Sequence, residues 1–180
     1  RINRVNYSDG SKKCFPEHNG QRTLPKEVRT LYNFDNVYGS EDYIIICEGE
    51  KAADVLIECG YVATTNPLGS SNWEDSYADL LVGKKIVIMP DADEHGEKWR
   101  DAVLSSLVGK VEQVQIVNIP TKFIEKHPEY SGHDFADMVQ SYSATKATEW
   151  LMGKLDTEKV LPKGVDTSML GLPIDGFREM

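Results

Sequence analysis

A basic excess is what this sequence most plainly lacks. Its 180 residues hold 20 Lys and Arg against 29 Asp and Glu, for a net charge of −9. Such a body is steered away from a phosphate backbone unless cations sit at its acids or a basic partner carries the contact. Cysteine is scarce and odd in number, at Cys14, Cys47 and Cys59, the last two in apolar or helix-forming contexts. That argues against a disulfide scaffold or a four-ligand zinc site and fits a reducing, cytoplasmic compartment. No apolar run approaches the ~20 residues that span a bilayer. The opening RINRVNY has no secretory h-region, so no membrane partner is expected. There is no G-x-x-x-x-G-K-[ST] loop to cradle a triphosphate. The first residue is Arg1, not Met, which reads as a fragment of a longer protein or a processed product.

What is present is unevenly spread. Residues 1–38 carry seven basic and four acidic side chains, net +3, which leaves −12 on the rest. This first stretch reads as a β-hairpin appendage turned by Asp9-Gly10, with KKCF returning. A turn-rich connection follows, docked on the body by Leu31, Tyr32 and Phe34. From residue 43 short apolar runs alternate with helix-forming segments. YIIIC is a continuous apolar run of strand length, as suits a strand buried on both faces of a parallel sheet. A helix over 50–59 follows, with Ala53, Leu56 and Ile57 along one side and Gly60 as its C-cap.

YVATT, residues 85–89 and VEQVQIVNI supply three more strands, and helices are expected over 73–82 and 97–108. Beyond Pro120 the pattern gives a polar loop containing KHPEYSGH, then a short helix over 134–140 capped by Asp134 and another over 144–155. The remainder, with three Gly and two Pro, reads as a linker or arm. The repetition defines an α/β fold with a mostly parallel central sheet flanked by helices. Three units are expected: residues 1–40, the α/β domain over 41–142, and a C-terminal helix and arm over 143–180.

Two strand ends carry acids. YIIIC runs into Glu48-Gly49-Glu50, and KIVIM into Pro90-Asp91-Ala92-Asp93. In parallel α/β sheets, ligands bind outside the carboxyl ends of strands. Asp91 and Asp93, two apart in extended backbone, point the same way, and Gly49 gives the chain room to turn after Glu48. Three carboxylates on one rim repel one another unless protonated or bridged, and a hard divalent cation with oxygen ligands is the natural bridge. A surface loop tolerates the same acids, so each motif taken singly carries little.

Together, IIICEGEKAADVL and IVIMPDADEHGEKW resemble the Toprim domain. That fold is shared by bacterial-type DNA primases, type IA and II topoisomerases, overcoming-lysogenization-defect nucleases and RecR-type repair proteins. The resemblance covers roughly residues 42–140 and is nearest to primases of phages, plasmids and integrated elements, through EGEKAADVL, ATTNPLGSSNW and SGHDFADMV. It implies a Toprim-like fold and metal-dependent nucleotidyl transfer that makes primers in DNA replication. Glu48, Asp91 and Asp93 would be the catalytic and metal-binding acids, and Mg²⁺ or Mn²⁺ the cofactor. Lys51 would approach a nucleotide phosphate, with Asp134 and Asp137 as secondary metal or electrostatic candidates. The implied partners are a single-stranded DNA template, nucleoside triphosphates, and a helicase domain or other replication proteins. The chain departs from a full primase in having no zinc ribbon, a reduced N-terminal segment, no fused-helicase motif, and Ala52 where some primases carry an acid.

A Toprim nuclease, a DNA-repair or recombination adaptor, and a non-catalytic metal-binding or interaction domain use the same acids. A topoisomerase needs a nucleophilic tyrosine, and none of the eight is marked, Tyr130 included. A dinucleotide-binding domain wants more glycines than EGEKAAD offers, and a receiver-like domain wants its acidic pair at the first strand. His95 follows the Asp-x-Asp as a candidate to bind phosphate or shape the loop. His127 and His133 show no zinc spacing. Trp73, Trp99 and Trp150 fit apolar helical faces.

Overall fold

The computed structural model describes residues 2–8, 12–157 and 161–162. Strands β1 (Ile2–Asn6) and β2 (Lys12–Pro16) pair antiparallel, with Ile2 opposite Pro16. The expected Asp9-Gly10 turn lies outside the described residues, as does the arm after residue 162. Helix α1 (Phe34–Gly39) leads into the body, where β3 (Ile44–Cys47), α2 (Glu50–Glu58), β4 (Val62–Thr64), α3 (Ser76–Asp79), β5 (Lys85–Met89), α4 (Glu94–Leu107) and β6 (Gln113–Ile116) alternate. Helices α5 (Thr121–Lys126), α6 (Phe135–Ser141) and α7 (Ala144–Thr157) follow.

Strands β3 to β6 form a four-strand parallel sheet in the order β4-β3-β5-β6, and β7 (Leu161–Pro162) adds antiparallel at the β6 edge. The apolar runs explain it. All of Ile44, Ile45, Ile46 and Cys47 are buried, and so are Ile86 to Met89. Alternate residues point to opposite faces of a strand. Ile44, Ile46, Ile86 and Ile88 therefore meet Trp99, Val103, Leu104 and Leu107 of α4, with Leu31 and Tyr77. Ile45, Cys47, Val87 and Met89 meet Ala52, Ala53 and Leu56 of α2, Phe135 and Met138 of α6, and Ala147 and Leu151 of α7. Two cores with one sheet between them are what an unbroken apolar strand requires.

Several features differ from the sequence expectation. In place of a helix over 73–82 there is a single 3₁₀ turn at Ser70–Asn72 and the four-residue α3. Trp73 between them is extended, because its indole N–H donates to Ser106 Oγ of α4 at 2.9 Å and anchors the backbone there. Helix α4 starts three residues before position 97, because Asp93 caps it. The polar loop after Pro120 contains α5, held by the buried Phe123 within a ring of His127, Tyr130, His133 and Tyr142. Of the three docking residues, Leu31 is buried, whereas Tyr32 lies at the surface and Phe34 is half-buried.

Candidate functional site

Strands β3 and β5 end side by side. Cys47 pairs with Met89, so Glu48 and the Pro90-Asp91 turn leave the sheet at the same level. The Asp91 backbone N–H donates to Glu48 Oε1 at 3.0 Å, which closes the gap between the two strand ends. The other carboxylate oxygen, Oε2, lies 3.4 Å from His95 Nδ1. Glu48 is 9% exposed and engaged on both oxygens.

The Asp-x-Asp divides its labour. Asp93 Oδ1 accepts the Gly96 N–H at 2.8 Å as the N-cap of α4. Its Oδ2 and that of Asp91 face Gly132. A Cβ at Gly132 would stand 2.9 Å from Asp93 Oδ2 and 3.5 Å from Asp91 Oδ2, and Gly132 has φ +77°. The Ala92 N–H between the two aspartates donates to the carbonyls of Gly132 and His133 at 3.1 and 3.2 Å. This clasp brings the segment before α6 onto the acids.

Burial pushes the Asp91 carboxyl up to about 8, helped by the charges of Glu48, Asp134, Asp93 and Asp137. Burial also raises Asp134, against the pull of the Asp137 N–H. Carboxyls resist ionisation where apolar surroundings and like charges raise the cost of the anion.

Asp134 and Asp137 come near the rim but are bound to each other. Asp134 Oδ1 accepts the Asp137 N–H at 2.7 Å, and Asp137 Oδ2 accepts the Asp134 N–H at 3.2 Å, a reciprocal capping box on α6. Lys51 reaches from α2 to Asp137 Oδ1 at 3.0 Å and Asp134 Oδ2 at 3.6 Å. Its side chain is 63% exposed, so it sits at the rim with these acids as partners.

Two glycines change meaning. Gly49 has φ −143°, and a Cβ there would meet nothing, so the expected need for glycine after Glu48 is absent. Gly96, which sequence reasoning missed, is where the glycine matters. A Cβ there would overlap the Asp91 carbonyl oxygen and stand 2.6 Å from Glu48 Oε1. Its signal in the sequence was its place three residues after Asp93 (the N3 position of a capped helix), once α4 is started at Glu94.

A cleft of ≈ 290 Å³ opens beside Glu48, lined by Phe15, Pro16, Gly49, Asn66, Leu68 and Gly69 among others. Leu68 at φ +70° and Gly69 at φ +87° shape its wall. A left-handed leucine is strained, and such strain gathers at functional sites.

Among the described residues, no three His, Cys, Asp or Glu side chains are grouped so as to hold a metal ion. The reason is local: Glu48 Oε1 and Asp93 Oδ1 are held by backbone N–H groups. The Oδ2 atoms of Asp91 and Asp93 remain turned to one side of Gly132. Two neighbouring aspartates with an oxygen each to spare fit Mg²⁺, which takes one or two protein carboxylates and keeps its waters; its binding would displace any proton held on Asp91.

No protein-family model and no curated protein matches this chain. Among solved structures it is similar to the DnaG catalytic core, over 84% of this chain and 44% of that one, with a TM-score of 0.56 and 17% identity. It is also similar to the structure of bacteriophage T7 lagging-strand DNA polymerase interacting with primase domains of two gp4 subunits bound to an RNA/DNA hybrid and dTTP. That match covers 70% of this chain and 64% of the other, with a TM-score of 0.43 and 20% identity. The second likeness is too distant to carry an argument. The first shows a primase-like α/β fold, and the chain spans under half the length of that structure. No helix among the described residues is long and apolar enough to cross a membrane.

Proposed function

We propose that this chain is the Toprim catalytic module of a DNA primase of the phage or mobile-element kind, joining nucleotides on a single-stranded DNA template. One observation carries the reading. Glu48 and Asp91 leave adjacent parallel strands at one level and are tied by a 3.0 Å hydrogen bond, on a fold like that of the DnaG catalytic core. Asp91 and Asp93 would hold Mg²⁺ or Mn²⁺. When bound, such an ion withdraws charge from an α-phosphate and acidifies a 3′-hydroxyl.

The chain's own residues then have distinct tasks. Glu48, fixed by the Asp91 N–H, lines the cleft, where its carboxylate would accept a proton or a hydrogen bond from the reacting nucleotide. Asp93 serves twice, capping α4 with one oxygen and facing Gly132 with the other. Lys51 offers a cation to a nucleotide phosphate at the rim, leaving the Asp134–Asp137 box to do so. Those two acids fit a capping role better than a ligand role, because their oxygens already have partners. With −12 outside residues 1–38, template contact would fall to that basic segment and to helicase or replication partners.

Primer synthesis from nucleoside triphosphates on single-stranded DNA, measured in the natural full-length context, is the test. Product with the wild type and a loss of about 10²-fold or more for E48Q and D91N supports the proposal. Cleavage of DNA without synthesis, lost in the same variants, would replace it with a nuclease.

A further inference from the structure

Resting on that reading, we infer that His95 is a positioning residue that sets the orientation of the Glu48 carboxylate and ties it to the Ser70–Ser71 turn. His95 is the second residue of α4, two after Asp93. Its Nδ1 lies 3.4 Å from Glu48 Oε2 and 3.3 Å from Ser70 Oγ, and its Nε2 lies 3.1 Å from Ser71 Oγ.

The directions follow from what each group can do. A carboxylate only accepts, so the contact with Glu48 is made by an Nδ1–H, while a hydroxyl can donate or accept and Nε2 pairs with Ser71 Oγ in either direction. Both Glu48 oxygens are thereby bound, Oε1 by the Asp91 N–H and Oε2 by the imidazole, which leaves the carboxylate little freedom to rotate. A hydrogen bond to an ionised acceptor is stronger than a neutral one, and a misoriented acid loses rate steeply. The other half of the device is the turn. Ser70 and Ser71 follow directly on Leu68 and Gly69, the two left-handed residues in the cleft wall beside Glu48. One imidazole therefore joins the acid to the strained loop that shapes its cleft.

The amide nitrogen of Asn overlays Nδ1 of a histidine, and that of Gln overlays Nε2. H95N should therefore keep the bond to Glu48, and H95Q only the bond to Ser71. In full-length primer synthesis, H95A should lower kcat by about tenfold while the nucleotide KM stays within about twofold. H95N should recover most of that loss and H95Q little of it. Equal activity of H95A, H95N and H95Q, or an effect confined to KM, would overturn the assignment.

Ring-nitrogen NMR of His95 near neutral pH gives a readout that does not require turnover. The expected ring carries a proton on Nδ1, with its signals displaced by E48Q while those of His18 stay in place. A His95 ring indifferent to E48Q would overturn the proposal. A positive NMR result with an inactive wild type would reject the primase reading and leave the positioning role standing.

Discussion

Gly96 and Glu48 are locked by distance: a Cβ on Gly96 would stand 2.6 Å from Glu48 Oε1 while overlapping the carbonyl of Asp91. The start of α4 is thus pressed against the hydrogen bond that joins the two acidic strand ends. In an exposed helix, Gly→Ala gains about 1 kcal/mol. Here a fixed backbone oxygen stands in the way, and overpacking costs about 1–3 kcal/mol or more. G96A is therefore expected to be less stable by thermal unfolding and to lose Mg²⁺ affinity by calorimetry, because Asp91 must shift. A G96A protein with unchanged or raised Tm would show that the turn yields freely.

Asp91 makes stability depend on pH in the direction opposite to an ordinary surface aspartate. Its folded carboxyl titrates at about 8, by burial first and neighbouring charge second. An unfolded aspartate titrates near pH 4. Across that window the folded chain holds a proton the unfolded chain has released. The stability from this group is complete below about pH 4, falls as pH rises, and is gone above about pH 8. D91N removes the titration. Without divalent cations it should match the wild type near pH 4 and exceed it at pH 8, by at most a few kcal/mol. Added Mg²⁺ should raise the Tm of the wild type and leave D91N unmoved. Parallel Tm–pH curves for the two proteins in chelator would contradict the burial of this acid.

Asp134 separates a cap from a ligand. Its Oδ1 takes the Asp137 N–H, and Asp137 returns the bond. D134A should cost about 1 kcal/mol of stability, and D134N, which still caps, much less. Mg²⁺ affinity of D134N should stay close to that of wild type, since an acid that only caps a helix gives the ion no oxygen. A collapse of affinity in D134N would move Asp134 into the metal site.

The sheet was legible because IIIC and IVIM are apolar at every position, and only a strand covered on both faces uses such a run. The rim acids were legible for the same reason, each following the end of such a run. Helix α5 was not, because its buried contribution is Phe123 alone within TKFIEK, too little to show a period. The start of α4 was hidden by Asp93 itself. Read as one of a ligand pair, its capping bond to Gly96 went unseen, and with it the reason for that glycine. Trp73 fitted a helical face by spacing, but one indole hydrogen bond to Ser106 decided its backbone instead. The engagement of both Glu48 oxygens depends on groups 43 and 47 residues away, and no local pattern carries that.

The pairing of Cys47 with Met89 makes the sheet a ruler for the chemistry at its end. Strand residues face alternate sides, so a slip of one rung would turn Ile44 to Cys47 inside out and exchange the two cores. The two apolar cores therefore enforce the spacing of the acids at long range. Evolution can redraw the loops around the rim freely, but a single residue inserted within IIIC or KIVIM would unfold the protein before it could retune it.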